Sequence, residues 1–592
     1  MVTFLTCKLQ NWVIPEQCNC HVLLFSVISL TLMIAAPGFA QDTIGDTDIE
    51  VYTLSGSIGM QGHAYTTSQD FNRREPLGAL TTINLDYSFL GFTSGLDVRY
   101  STDENRLRQS MNRFSFYGSW RWLTLNAGDV NPSYAQYSLR GTMLRGGEII
   151  INPGNFSLEL TAGRVNRMTT SSNGQIPRDF SYERWLYAAS IGVGDSNRSN
   201  FKLTAMYGKD DTGSIPDTLG LDLPATGALP PPAENVAVTP EFQISLFEET
   251  FRIGAETTFT AYTRDTNSPA ISADDAGVPS FFTDIFTPRN STRLTFAGRA
   301  HSELAFDPFQ LHLEFERIQP GFESMGLRQI RDDQQTITAS PRFQLLDNRI
   351  SLDATYSISE DNLLGNRLST QENENIILNA NFQLTDMINL GAGYNRFASE
   401  TTSESDEEIN TAGHKQLSQV FQLFPGISFI RGSTSHSISL SGVYQLMETE
   451  FPTGDGIDVQ ESNTFSGTAN YSIALQTGLT VNTTFNLVEG EAPNSEFSTY
   501  GANAGVGYSF FGGDLNVNLT AGVSYNQNES NSAMEPIVNE NFQVNGNITA
   551  SYRITSGSSL QLNLRSQNNS IMEGAGQNFS EMEGRIEFRH RF

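Results

Sequence analysis

The stretch Glu583-Gly584-Arg585-Ile586-Glu587-Phe588-Arg589-His590-Arg591-Phe592 decides the fold, and it is the last part of the 592-residue chain. Taken at every second residue, it places Gly584, Ile586, Phe588, His590 and Phe592 on one face and five charged residues on the other. Side chains of an extended strand alternate between two faces in this way. The stretch therefore predicts a β-strand with one mainly apolar face and one charged face.

This strand resembles the C-terminal targeting strand of Gram-negative outer-membrane β-barrel proteins, on the apolar positions Ile586 and Phe588 and the final aromatic residue Phe592. His590 stands where that family prefers an apolar residue. The resemblance implies that Ile586, Phe588 and Phe592 form the assembly signal that the barrel-assembly machinery reads. It also implies a location in the cell outer membrane, in contact with lipid and lipopolysaccharide.

The N-terminal part has the pattern of an export signal. Residues 22–36 are apolar apart from two serines and a threonine, and small residues precede the polar pair that follows Ala40. A transmembrane helix needs roughly 20 apolar residues, so this run is too short for one. We expect a signal peptide at 1–40, a short periplasmic segment at 41–50 and the outer-membrane β-barrel at 51–592.

Composition excludes several classes of site and partner. The three cysteines, Cys7, Cys18 and Cys20, lie within the expected signal peptide. The mature chain is therefore expected to lack disulfides and thiolate metal sites. A formal net charge of −29 makes nucleic acid a poor partner. A mean hydropathy of −0.29 fits a barrel in which polar lumen positions dilute the lipid-facing ones.

From Ile49 onward, segments with a period of two residues are separated by turn residues, and short connections alternate with long polar ones. The short connections lie at 91, 152–155, 306–308, 347–348, 385–386, 477–478, 512–513 and 556–557. The long ones include 211–236, 265–292, 450–462, 489–497, 526–539 and 568–580. Outer-membrane barrels have short periplasmic turns and long external loops. The pattern predicts an all-β fold: a single transmembrane antiparallel up-and-down β-barrel of about 26 strands, in the range 22 to 28. A series of soluble β-sandwiches, the alternative, does not explain the alternation in loop length.

Ionisable residues converge at one place in the predicted barrel. On the hairpin around Phe306-Asp307-Pro308, a register that pairs Glu303 with His312 also pairs His301 with Glu314. Two imidazoles and two carboxylates are suited to binding a divalent metal or moving protons. Ordinary cross-strand charge pairs are more usual in a hydrated lumen. We therefore predict no catalytic residue, no cofactor and no metal, with this cluster as the only candidate site.

The C-terminal half carries an Asn-rich set of residues at lumen-facing positions. This set predicts a neutral hydrogen-bonding wall that suits sugars or a peptide backbone. Its members are Asn379, Asn381, Asn482, Asn486, Asn516, Asn518, Asn545, Asn547 and Asn563.

A second resemblance covers about thirty residues from Gly128. The stretch Gly128-Asp129-Val130-Asn131-Pro132-Ser133-Tyr134-Ala135-Gln136-Tyr137-Ser138-Leu139-Arg140-Gly141, continuing to Arg145-Gly146-Gly147 and Asn152-Pro153-Gly154, is similar to an element of large outer-membrane barrels from Bacteroidota and relatives. The resemblance implies a fold and a location, but no substrate.

The size of the predicted barrel bears on its function. Porins of 16 to 18 strands leave an aqueous channel and 22-stranded transporters need a plug, so about 26 strands leave a hole that has to be filled. We expect the loops 211–236 and 265–292, or a plug or periplasmic partner protein, to obstruct it. The sequence favours a channel or translocon-like conduit for hydrophilic solutes or polymers, and not an enzyme. A barrel-embedded hydrolase and a structural or adhesive surface protein are the alternatives.

Overall fold

The computed structural model describes residues 52–69, 73–102, 112–168, 181–195, 198–215, 230–276, 283–403, 413–453, 456–531 and 536–592. The expected signal peptide at 1–40 and the periplasmic segment at 41–50 lie outside the described residues. The compact unit Leu54–Phe592 contains nearly all of them.

The described residues form 26 β-strands and three single turns of helix. The turns are Thr212–Ser214, Ala273–Ala276 and Phe511–Gly513. The strands, β1 to β26 in chain order, are Tyr52–Thr67, Leu77–Phe89, Phe92–Ser101, Arg113–Trp120, Leu123–Val130, Leu144–Ile151, Phe156–Asn166, Glu183–Gly194, Asn200–Asp211, Glu234–Leu246, Phe251–Thr263, Thr292–Phe306, Phe309–Ile318, Gln334–Leu345, Ile350–Asp361, Ser369–Gln383, Ile388–Ser403, Lys415–Arg431, Thr434–Thr453, Gly456–Leu475, Leu479–Ala492, Ser495–Phe510, Leu515–Ser530, Ile537–Arg553, Ser558–Glu573 and Phe579–Arg591. Across these ranges, no helix is long and apolar enough to cross a membrane.

Each strand pairs antiparallel with the next, and the last strand returns to the first. The closing seam runs from Ser57 opposite Arg591 to Thr67 opposite Glu581. Backbone bonds between Gly56 and Phe592 extend it, at 3.0 and 3.2 Å. The sheet is therefore a closed barrel, which leaves no strand edge unpaired and satisfies the backbone without water. The prediction of a single antiparallel barrel of about 26 strands is confirmed.

The two faces of the barrel wall differ in the way the last strand predicts. In β26, Ile586 is 51% exposed on the outer face, while Arg585 and Glu587 alternate with it on the lumen side. Large apolar side chains are exposed at such outer positions all around the sheet, with aromatic residues near the short turns. These include Phe89, Phe92, Trp120, Trp122, Phe306, Phe343, Tyr471, Tyr508, Phe510 and Tyr552. An apolar outer band bordered by aromatic residues is the surface of a membrane barrel.

The short connections lie where the sequence predicts them, but four of the predicted long loops are wrong. Residues 450–462, 489–497, 526–539 and 568–580 are mostly strand, because β19 to β26 continue as hairpins. Strands β19 and β20 each reach 20 residues. A transmembrane strand needs only about 9 to 11 residues, so these hairpins extend beyond the bilayer. Both faces of a strand contact water there, so polar residues occur on both faces, and the segments resembled loops in the sequence.

Candidate functional site

Two of the long connections enter the barrel. The first inner loop, residues 131–143, joins β5 to β6, and the second inner loop, residues 319–333, joins β13 to β14. Five large apolar or aromatic side chains of these loops are buried: Tyr134, Tyr137, Leu139, Phe322 and Met325. Burial is unusual for loops, which normally run over a surface.

The first inner loop packs on the lumen side of the wall. Leu139 and Tyr134 join a buried cluster with Leu144, Leu186 and Met206, which belong to β6, β8 and β9. Fully burying one such side chain contributes about 1.5 to 3 kcal/mol, so this apolar contact is the main force that holds the loop inward.

Polar contacts fix the position of the first inner loop. The Tyr137 hydroxyl donates to Glu316 Oε1 at 2.6 Å, and the Tyr134 hydroxyl bonds Thr161. The backbone N–H of Gln136 donates to Glu256. Burial, followed by the hydrogen bond to Glu316, raises the pKa of Tyr137 well above its usual range. The hydroxyl therefore stays protonated and remains a donor.

The second inner loop lies against the first. Phe322 packs edge-on against Tyr137, with ring centroids 6.5 Å apart. The Ser324 hydroxyl donates to the Ser138 carbonyl at 2.8 Å. The N–H of Arg140 donates to the Gly326 carbonyl at 3.3 Å. The two loops therefore form one body inside the barrel.

Side chains of the wall also hold the second inner loop. Asn235 of β10 accepts from the Met325 N–H at 3.1 Å and donates to Thr260 at 2.6 Å. At the end of the loop, the buried carboxylate of Asp333 forms an ion pair with Arg367, which lies in the connection between β15 and β16. The distance from Arg367 Nε to Asp333 Oδ2 is 2.7 Å. Leaving a buried carboxylate without its partner strongly destabilises the folded state, so this ion pair holds the end of the loop in place.

The wall opposite the inner loops is neutral. Strand β22 lies thirteen strands from β9 in either direction around the 26, so the two face each other across the lumen. Within the described residues, the lumen-facing positions of β21, β22 and β23 carry no charged side chain. Many are Asn or Thr, as in the chain of bonds from Thr499 to Asn526 and from Asn526 to Asn541, each 2.8 Å. The open space is thus bounded by the inner loops on one side and by this polar wall on the other.

The His/Glu cluster has the predicted register. Glu303 lies opposite His312 and His301 opposite Glu314. The two imidazoles are stacked with centroids 6.1 Å apart, and His312 Nε2 is 3.8 Å from Glu314. Glu314 is also 3.7 Å from Arg299. Among the described residues, no group of three or more His, Cys, Asp or Glu side chains is placed to hold a metal ion. The geometry favours charge pairs in a hydrated lumen.

We expect the double change His301→Ala and His312→Ala to leave the folded yield unchanged, because both side chains are on the lumen side and neither belongs to a packed apolar cluster. Any hydrolytic activity of the purified protein should also stay at its background level. Hydrolysis of ester and peptide test substrates, measured with heat-modifiable migration as the folding control, checks this. Loss of a measurable activity in the folded double variant would instead support a barrel-embedded hydrolase.

Comparisons with known proteins find barrels of the outer membrane. No family model matches the sequence, and no curated protein matches it. Among solved structures, the chain is similar to Pseudomonas aeruginosa FpvA bound to heterologous pyoverdines, with 10% identity, 91% of this chain and 72% of that chain covered, and a TM-score of 0.38. It is similar to the P pilus usher PapC translocation pore at 10% identity, with 91% and 99% covered and a TM-score of 0.34. The FrpB iron transporter from Neisseria meningitidis gives 9% identity, 91% and 81% covered, and a TM-score of 0.38.

These scores carry no argument about function. The class of the protein follows from its own closed sheet, apolar outer band and aromatic borders. The chain is an outer-membrane β-barrel protein.

The inner loops are not the loops that sequence analysis expected to obstruct the barrel. In the described part of 265–292, Phe286 packs against Val236 and Ala261, whose side chains point away from the lumen. Residues 216–229 and 277–282 lie outside the described residues. The first inner loop instead coincides with most of the stretch from Gly128 to Gly141 that sequence analysis singled out. Its tyrosines and Leu139 were the available signal, because three large apolar side chains are unusual in an exposed loop.

The residues of the predicted assembly signal lie at the closing seam. Ile586 is opposite Gly62 and Phe588 opposite Met60, while Phe592 continues the pairing at Gly56. Their recognition by the assembly machinery stays a prediction.

Proposed function

We propose that the protein is a conduit for hydrophilic solutes or polymers across the outer membrane, narrowed at rest by its two inner loops. The observation that carries the proposal is the buried contact between these loops and one side of the wall. A barrel of this strand number is wide enough to need an internal obstruction. The inner loops supply such an obstruction.

The polar wall supports a hydrophilic cargo. Several of its amides and hydroxyls form hydrogen bonds with one another or with Asn541 of β24, and its described lumen positions carry no charge. Such a surface offers weak, exchangeable hydrogen bonds to a passing solute, because water and cargo compete for the same groups. A periplasmic partner that displaces the inner loops is compatible with this role.

Conductance tests the proposal. Replacing 132–142 and 320–332 by short Gly-Ser linkers should raise the conductance of the purified protein in planar bilayers several-fold, because the cross-section now filled by the loops becomes water. The intact protein should show small or intermittent currents. A matched control replaces the tip 574–578, whose residues are exposed and join β25 to β26. A large, steady conductance of the intact protein that loop replacement leaves unchanged would rule out the constriction.

A further inference from the structure

A basic pocket lies inside the barrel at the end with the short turns. It has a volume of about 320 Å³ and is lined by three arginines, one glutamate and several hydroxyl groups around the turn between β24 and β25. The arginines are Arg553, Arg589 and Arg591. The pocket is basic although the chain as a whole has a net charge of −29.

The strand register brings these groups together. Ser559 of β25 lies opposite Arg553 of β24 on one side and opposite Arg589 of β26 on the other. Arg591 is two residues beyond Arg589, so it shares the lumen face. The three guanidinium groups therefore converge on a row of small hydroxyl side chains, which leave room between them.

The local carboxylates do not neutralise all three arginines. Arg553 Nη2 is 2.6 Å from Asp514, and Arg589 Nη2 is 3.1 Å from Glu587. In the described part of the chain, no carboxylate lies within ion-pair distance of Arg591. At least one guanidinium thus keeps its full hydrogen-bonding capacity toward the lumen.

We propose that this pocket binds an anionic group of the cargo, a phosphate or a carboxylate, at the periplasmic entrance of the conduit. The proposal rests on the proposed function. Arginine presents a planar fork of N–H donors that matches both oxyanions in two-point contacts. The adjacent hydroxyls of Ser556 and Ser559 add neutral donors. An anion held there lies at the periplasmic end of the lumen, beside the neutral polar wall. Because that wall carries no charge, it would not bind the anion tightly once the anion leaves the pocket.

Binding of pyrophosphate to the purified, detergent-solubilised barrel tests the proposal without requiring conductance. Equilibrium dialysis at low ionic strength should show saturable binding that weakens with added salt. Arg591→Gln and Arg553→Gln should each weaken it about tenfold, the loss of one charge-assisted contact. Arg553 lies outside the last strand, so its variant leaves the predicted assembly signal unchanged.

The matched control is Arg342→Gln. Arg342 also faces the lumen near the short-turn end and is paired with Asp353, as Arg553 is with Asp514, but it lies on β14, outside the pocket. Its variant should bind pyrophosphate like the unchanged protein. Equal binding by the folded Arg591→Gln and Arg553→Gln variants, or an equal loss in Arg342→Gln, would overturn the proposal. Failure of the loop-replacement experiment would not change this binding result, so the constriction and the anion-binding pocket are tested independently.

Discussion

Removing Phe592 should leave most of the protein unassembled in the membrane. Phe592 makes two backbone hydrogen bonds with Gly56 at the closing seam, and its ring stacks on His590 with centroids 5.8 Å apart. In a bilayer, unpaired backbone groups cost several kcal/mol each, so the seam opens where these bonds are lost. The fraction of heat-modifiable protein in outer-membrane extracts measures the effect, and we expect it to fall by most of its value.

A second variant separates closure of the barrel from recognition of the C-terminal residue. A Cβ atom added at Gly56 would lie 2.5 Å from the Asn84 carbonyl oxygen and 3.1 Å from the Phe592 ring. Gly56→Val therefore disturbs the same seam while the last strand keeps its sequence. If Gly56→Val assembles well and the Phe592 deletion does not, the result supports recognition of Phe592 as part of the assembly signal. Equal defects would assign the effect to seam packing, and normal migration of the truncated protein would contradict both.

The strands were predictable because their information is local. The alternation in β26 gives both faces of the strand, and the short turn around Asp307 sets the register of β12 and β13. A one-residue slip would move every apolar side chain to the wrong face, so sequence alone specifies such a register. The count of 26 follows from the same pattern, summed over the chain.

The inner loops could not be placed from the sequence because their contacts are distant. Tyr137 bonds Glu316, and Ser138 accepts from Ser324, across about 180 residues. Loop length and apolar content pointed instead to 211–236 and 265–292. Those features do not indicate whether a loop turns into the lumen or packs on the rim. Whether a loop turns into the lumen depends on its buried contacts with residues of β8 to β13. The order of residues along the chain does not show which loop those residues contact.

A side chain added at Gly326 should break the contact between the inner loops. A Cβ atom added at Gly326 would lie 2.1 Å from the Ser138 carbonyl oxygen, 2.7 Å from Met206 Sδ and 3.0 Å from Leu139 Cα. Real Cβ atoms do not approach backbone so closely, so Gly326→Val forces the loops apart. We expect conductance to rise toward the value of the loop-replaced protein, with more time spent in the open level.

The size of that effect follows from how the loops are held. Separating them exposes Tyr137 and Phe322 and removes the Ser324 and Arg140 hydrogen bonds together, because all of them depend on the same approach of Ser138 and Gly326. Losses of about 1 kcal/mol per hydrogen bond and 1.5 to 3 kcal/mol per large apolar side chain are enough to invert a resting equilibrium of a few kcal/mol.

A substitution of the same size on the outer face is the control for Gly326→Val. Gly546 of β24 is an outward-facing glycine with no neighbouring atom within 4 Å of an added Cβ. Gly546→Val should therefore keep the small, intermittent currents of the unchanged protein. If the Gly326→Val variant is folded and its currents match those of Gly546→Val, the inner loops do not control passage, and the obstruction has to come from a partner protein instead.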